Sequence, residues 1–177
     1  MSTATATSPQ ARTGIAPIAP IVRTVQVKAP PARAFELFTA HMAKWWGKAI
    51  GKNPAVDVVI EPRVGGRWYQ RDAEGNETQW GKVLAWQPPA RLLLAWQINC
   101  EWGYDPALLT ELELTFAPAE GGGTVVRLEH RNLERFGVDA RGHAERLGGG
   151  WPKKLGTFAA YVDRGVITPP EAPCPGA

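Results

Sequence analysis

Six short β-prone runs, each closed by turn-forming residues, fill the stretch from residue 56 to residue 131, and this repetition restricts the fold more than any other feature of the chain. The runs cover residues 56–61, 67–72, 77–86, 91–98, 108–116 and 124–131. Leu92, Leu94, Trp96 and Ile98 recur at period two, as do Leu112, Leu114 and Phe116, which is the spacing that lines up side chains on one face of a strand. Pro62, Gly65-Gly66, Glu74-Gly75-Asn76, Pro88-Pro89 and Gly121-Gly122-Gly123 punctuate the runs with residues that supply turn backbone. Consecutive strands joined by such tight connections predict an antiparallel meander.

The flanks complete the architecture. Residues 21–28 are rich in β-branched side chains and predict a further strand, broken by Ala29-Pro30-Pro31. Ala34, Phe35, Leu37, Phe38 and Met42 then recur at helical spacing, and Lys44-Trp45-Trp46-Gly47 reads as a short second helical turn. Near the other end Leu147, Trp151, Leu155, Phe158 and Val162 form one apolar stripe. Pro152 has no N–H for a mid-helix bond but is tolerated in a first turn, so the regular helix is predicted from about Gly150 to Arg164, stopped by Gly165. That is roughly 20 Å, long enough to cross a sheet. The expectation is an α+β domain of the helix-grip type over residues 21–165, with a long C-terminal helix laid on a curved antiparallel sheet over an apolar cavity. Residues 1–20 read as a flexible N-terminal arm, and residues 166–177, with four prolines, as a disordered C-terminal tail.

Composition removes several function classes. A chain of 177 residues, 44% hydrophobic and 21% charged, suits one soluble domain. The net charge of +3 is mild, and Arg127, Glu129, Arg131 and Glu134 interleave instead of forming a basic block, which argues against nucleic-acid binding. No run of 18 apolar residues exists, so no membrane insertion is expected, and the Ser/Thr/Ala-rich start lacks the pattern of a secretory signal, which leaves a cytoplasmic location as the default. Cys100 and Cys174 read as two free thiols. His41, His130 and His143 are not spaced as a metal set, and neither a phosphate-binding loop nor a dinucleotide fingerprint occurs, so no metal and no cofactor are expected. Serine is missing from the folded region, which removes a serine hydrolase.

Eight tryptophans against three tyrosines and five phenylalanines are the compositional oddity. An indole carries a large apolar ring and one N–H that needs a partner when buried, so such a surplus suits a wide, ring-lined interior. Trp68, Trp80 and Trp96 lie on three strands and Trp151 on the closing helix, where they converge as candidate pocket walls together with Leu155 and Phe158. Trp45 and Trp46 belong at the mouth of such a pocket. His130 is in phase with Val126 and Leu128 and is the one candidate for ligand hydrogen bonding or proton transfer; its simpler role is a histidine held by hydrogen bonds near a strand end. Glu61, Arg71 and Glu77 sit on neighbouring strands as anchors for a ligand or as surface ion pairs.

The ordered set Val25-Gln26-Val27-Lys28-Ala29-Pro30, Ala34-Phe35-Glu36-Leu37-Phe38, Trp45-Trp46, Glu61-Pro62-Arg63-Val64-Gly65-Gly66-Arg67-Trp68, Trp80-Gly81-Lys82-Val83-Leu84, Pro88-Pro89-Ala90-Arg91-Leu92, Gly123-Thr124, Glu129-His130 and Gly150-Trp151 resembles the START-like, SRPBCC superfamily. Within it the chain is similar to the branch of the C-terminal domain of the activator of the heat-shock-90 ATPase. The resemblance implies a helix-grip fold with a deep apolar cavity and fixes no reaction, since members include lipid and hormone carriers and polyketide cyclases.

Three readings follow. The first is binding of a small hydrophobic or aromatic molecule without chemistry. The second is a cyclase or dehydratase using His130 with a carboxylate as general acid and base. The third is a chaperone-associated interaction module, against which stands the lack, in the 20 residues before the first strand, of any counterpart to the activators' separate N-terminal domain. A homodimer is left open by the sequence.

Overall fold

Alternation along the sequence becomes alternation in burial. In the computed structural model, which describes residues 14–47, 50 and 54–164, strands β1 (Ile21–Val27), β2 (Ala55–Ile60), β3 (Arg67–Asp72), β4 (Glu77–Gln87), β5 (Arg91–Trp96), β6 (Thr110–Pro118) and β7 (Thr124–Arg131) form one antiparallel sheet. Its order is β1-β7-β6-β5-β4-β3-β2, so every consecutive pair from β2 to β7 is a neighbour and β1 closes the far edge against β7. Leu112, Leu114 and Phe116 of β6 and Val126, Leu128 and His130 of β7 all point inward, each separated by a half-buried residue. The outward residues of β5, β6 and β7 include the interleaved charges, which pair across strands: Arg91 with Glu113, and Arg131 with Glu111. Partly exposed pairs of this kind contribute little to stability but match basic with acidic side chains on this face.

Register breaks between Ala55 and Asp57, Trp68 and Tyr69, and Val83 and Ala85 bend the sheet, because an extra residue on one strand increases local twist. The curved face is filled by helices α1 (Pro31–Thr39), α2 (Met42–Trp45) and α3 (Ala140–Asp163). Pro31 starts α1, where a missing N–H costs nothing. The backbone N–H of Lys28 donates to Asp163 Oδ1 at 2.7 Å, tying the end of α3 to the exit of β1. The α+β helix-grip architecture expected from the sequence is thus the one observed.

The length of α3 is a correction. It runs from Ala140 through Pro152 to Asp163, 24 residues, and does not begin near Gly150. A proline inside a helix orphans the carbonyl four residues earlier, here that of Gly148. Arg23 of β1 donates from Nη2 to that oxygen at 3.0 Å, so a guanidinium from the sheet replaces the missing helical bond. His143 and Leu147 extend the buried stripe backwards from Trp151 at spacing four. A 3₁₀ turn at Leu133–Phe136, also unforeseen, links β7 to this helix. The predicted N-terminal arm is covered only at residues 14–20; the rest of it, Gly165, Cys174 and the predicted tail lie outside the described residues.

One prediction follows from the Arg23 bond. Arg23→Met should lower stability by about 1 kcal/mol, the usual net contribution of one hydrogen bond. In a Pro152→Ala background the same change should cost much less, since Gly148 then regains a helical donor. A double-mutant cycle in urea reads the coupling directly.

Candidate functional site

The β3–β4 ladder explains how the interior is organised. Trp68 stands opposite Gly81, and the register break follows immediately at Tyr69. Gly81 lets its strand lie close under its neighbours, with the Trp68 ring above it at 3.6 Å from where a Cβ would be. Trp68 and Trp80 therefore point the same way, their ring centres 5.4 Å apart. Trp96 of β5 meets Trp68 at 5.7 Å, and Trp151 of α3 meets Trp96 at 5.5 Å. Trp46, which caps α2, touches Trp80 at 5.2 Å, Trp68 at 6.0 Å and Trp151 at 6.1 Å. Most of these contacts are edge-to-face, the arrangement favoured by ring quadrupoles.

All nine residues singled out in the sequence are interior, none more than 4% exposed. Trp46, Trp68, Trp80, Trp96, Trp151 and His130 form one connected set of rings. Trp45 and Phe158 pack beside it, 5.0 Å apart, with Trp45 Nε1 donating to the Leu37 carbonyl. Leu155 is buried in the same core. Trp45 and Trp46, expected at a mouth, are both buried. Two open grooves on the surface, of about 530 and 590 Å³, are lined by none of the nine.

His130 is wholly buried and doubly engaged. Trp151 Nε1–H donates to Nδ1 at 3.4 Å, which assigns the proton to Nε2; that nitrogen donates to Thr110 Oγ1 at 2.8 Å, and the Thr110 hydroxyl donates to the Trp96 carbonyl at 3.3 Å. Burial, with a smaller contribution from nearby His143, pushes its pKa down to about 3. The imidazole is therefore neutral at physiological pH, and no carboxylate hydrogen-bonds to it.

The charged candidates lie elsewhere. Glu61 accepts the Arg67 backbone N–H at 2.8 Å, which holds its carboxyl below the usual range. Glu77 is lowered in the same direction by hydrogen bonds from Arg67 and Arg71. These groups form a surface ion-pair cluster around Tyr69 and do not converge on the indoles.

Sequence reasoning passed over Gln70, Thr110, Lys154 and His143. Gln70 Oε1 accepts from Trp80 Nε1 at 3.1 Å and from the Ile50 N–H at 2.9 Å, while its Nε2 donates to the Ile50 carbonyl at 2.9 Å. Its spacing of two from Trp68 was the available signal. Lys154 lies 4.6 Å from the Trp46 ring centre and donates to the Trp46 carbonyl. His143 packs 4.5 Å from Phe136, and its Nε2 has no hydrogen-bond partner among the described residues. Trp45, Trp80, Trp96 and Trp151 each have an acceptor for the indole N–H; Trp68 Nε1, fully buried, has none among the described residues. No cluster of metal-ligating side chains occurs among the described residues.

Residues 28–163 match the family described as Activator of Hsp90 ATPase homolog 1-like protein. The chain belongs to this family. The resemblance read from the ordered motifs is borne out, and solved structures place the fold with it. An anthrahydroquino-γ-pyrone synthase, Txn09, is 36% identical, with a TM-score of 0.59 over 81% of this chain and 97% of that one. CalC, a self-sacrificing resistance protein from Micromonospora echinospora, is 29% identical, with a TM-score of 0.63 over 84% and 97%. The Aha1 dimer from Colwellia psychrerythraea, at 17% identity and a TM-score of 0.60 over 84% and 98%, shares the fold. No curated protein matches the chain. No helix among the described residues is long and apolar enough to cross a membrane.

Proposed function

We propose that this member of the family binds a small planar aromatic molecule among the interior indoles, between β3–β5 and α3. The observation that carries the reading is convergence: five tryptophans from three strands and two helical segments meet one another in a single connected set. Stacked and edge-on contacts with such rings favour flat aromatic guests over flexible chains. The 36% identical relative is a synthase whose named product is a fused aromatic pyrone, and a fused-ring compound of that class is the ligand we favour. Since the rings touch one another, a guest has to displace one. Trp46 is the ring best placed to move, because it is followed by Gly47 with φ of +84° and is carried by the end of the short α2 and not by the sheet.

A thermal-shift panel of fused-ring aromatics tests this. A ligand at a hundredfold its Kd should raise Tm by about 5–10 °C for a domain of this size. Trp46→Ala should weaken that response. A flat response to every fused-ring compound would contradict the reading.

Catalysis in the same interior, of the cyclase or dehydratase kind, is favoured by the synthase relative. His130 as acid or base fits it poorly, being neutral and hydrogen-bonded to Thr110 and Trp151, with no carboxylate bonded to it among the described residues. Turnover retained by His130→Gln would separate templated catalysis from acid–base catalysis.

A further inference from the structure

Four of the six buried indoles have dedicated acceptors, and the wholly buried N–H that has none among the described residues sits at their centre. Trp45 donates to Leu37 O, Trp80 to Gln70 Oε1, Trp96 to Ile98 O and Trp151 to His130 Nδ1. Trp68 is wholly buried, in ring contact with Trp46, Trp80 and Trp96, and its Nε1–H meets no acceptor among the described residues. A buried donor left unpaired is destabilising, and proteins rarely leave one without a use. The face on which the side chain stands is set by the backbone, and Trp46, Trp80 and Trp96 pack around the ring. The β3 register break comes directly after Trp68, Gly81 is opposite, and the close approach of Ala95 beneath Gly81 fixes the strand spacing. Bulges re-aim side chains in this way beside binding sites. Gln70, two residues along β3, is already committed to Trp80 and Ile50.

We propose that the molecule bound in this interior carries an oxygen acceptor on its aromatic ring system, a ketone, quinone or pyrone carbonyl, which receives the hydrogen bond from Trp68 Nε1. This rests on the aromatic-binding reading and adds to it a specificity rule: Trp68 selects oxygenated polycyclic aromatics over the parent hydrocarbons. Binding of a hydrocarbon leaves the donor unpaired, whereas a carbonyl placed edge-on to the indole satisfies it. A site built around a fixed donor discriminates against ligands that lack the acceptor.

The pair 9-fluorenone and fluorene isolates the carbonyl on one skeleton. In calorimetric titrations of the intact protein, fluorenone should bind about tenfold more tightly than fluorene, the value of one buried hydrogen bond. In nitrogen–proton spectra the indole resonance of Trp68 should move downfield with fluorenone and not with fluorene. Trp68→Phe should bring the affinities for the two compounds to within about twofold of each other, whatever it does to either one. Equal binding of both compounds to the native protein, with the Trp68 resonance unmoved, would overturn the inference and leave the aromatic-binding reading standing. Binding of neither would overturn both. The resonance shift is read on the native protein, so the outcome stands even if Trp68→Phe does not fold.

Discussion

Gly81→Ala is expected to abolish the stable fold, with a loss of about 4 kcal/mol or more, comparable to the whole stability of many domains. A Cβ on residue 81 would lie 1.8 Å from the Ala95 carbonyl oxygen, and both the atom it meets and the atom that carries it are backbone. No rotamer change relieves such a clash; only separation of β4 from β5 does. That separation would also release Trp80, Trp68 and Trp96, whose ring contacts depend on the spacing of these strands. Gly149→Ala is the matched control. It lies in α3 with nothing within 4 Å of its Cβ position, and the change should stabilise by about 0.5–1 kcal/mol through helix propensity. Circular dichroism melts of the two variants should therefore move in opposite directions.

Acidification should unfold the protein through His130. Its folded-state pKa of about 3 lies below the ordinary 6.5, so the unfolded chain binds a proton that the native interior refuses. The contribution is present in full above pH 6.5 and is lost as pH falls from 6.5 towards 3, at about 1.4 kcal/mol per pH unit. The carboxylates with lowered pKa values, Glu36, Glu61 and Glu77, act only below their ordinary 4.5. The window from pH 6.5 to 4.5 therefore belongs to the buried histidines, with an expected loss of about 3 kcal/mol from His130. His143 is shifted in the same direction, first by burial and then by Arg146, and adds to it. Urea midpoints of the native protein should fall through this window. His130→Gln should show a shallower fall, even though its stability at neutral pH is lower; an identical slope would mean that His130 is not buried as a neutral base.

Most of the sheet was legible because strand burial obeys period two, and the turns were legible because Gly65-Gly66, Gly75-Asn76 and Gly121-Gly122-Gly123 offer backbone that other residues resist. The start of α3 was not legible. Pro152 and three consecutive glycines are local signals against a helix, and the bond that overrides them comes from Arg23, over a hundred residues earlier in the chain. The candidate rings could be chosen by phase on their strands, since Trp68, Trp80 and Trp96 were each placed on a predicted strand. What joins them could not. The partners of Gln70 and Thr110 are set by cross-strand register and by the path of the chain at Ile50, and neither is encoded locally. The same holds for the unpaired donor of Trp68, whose surroundings are set by the packing of distant elements.

Native mass spectrometry of the freshly purified protein, followed by organic extraction and identification of whatever is released, tests the central claim most directly. The account predicts a one-to-one adduct of an oxygenated fused-ring aromatic, either retained through purification or formed on adding such compounds, and lost in Trp151→Ala. An apo mass alone, unchanged by any fused-ring aromatic, would contradict it.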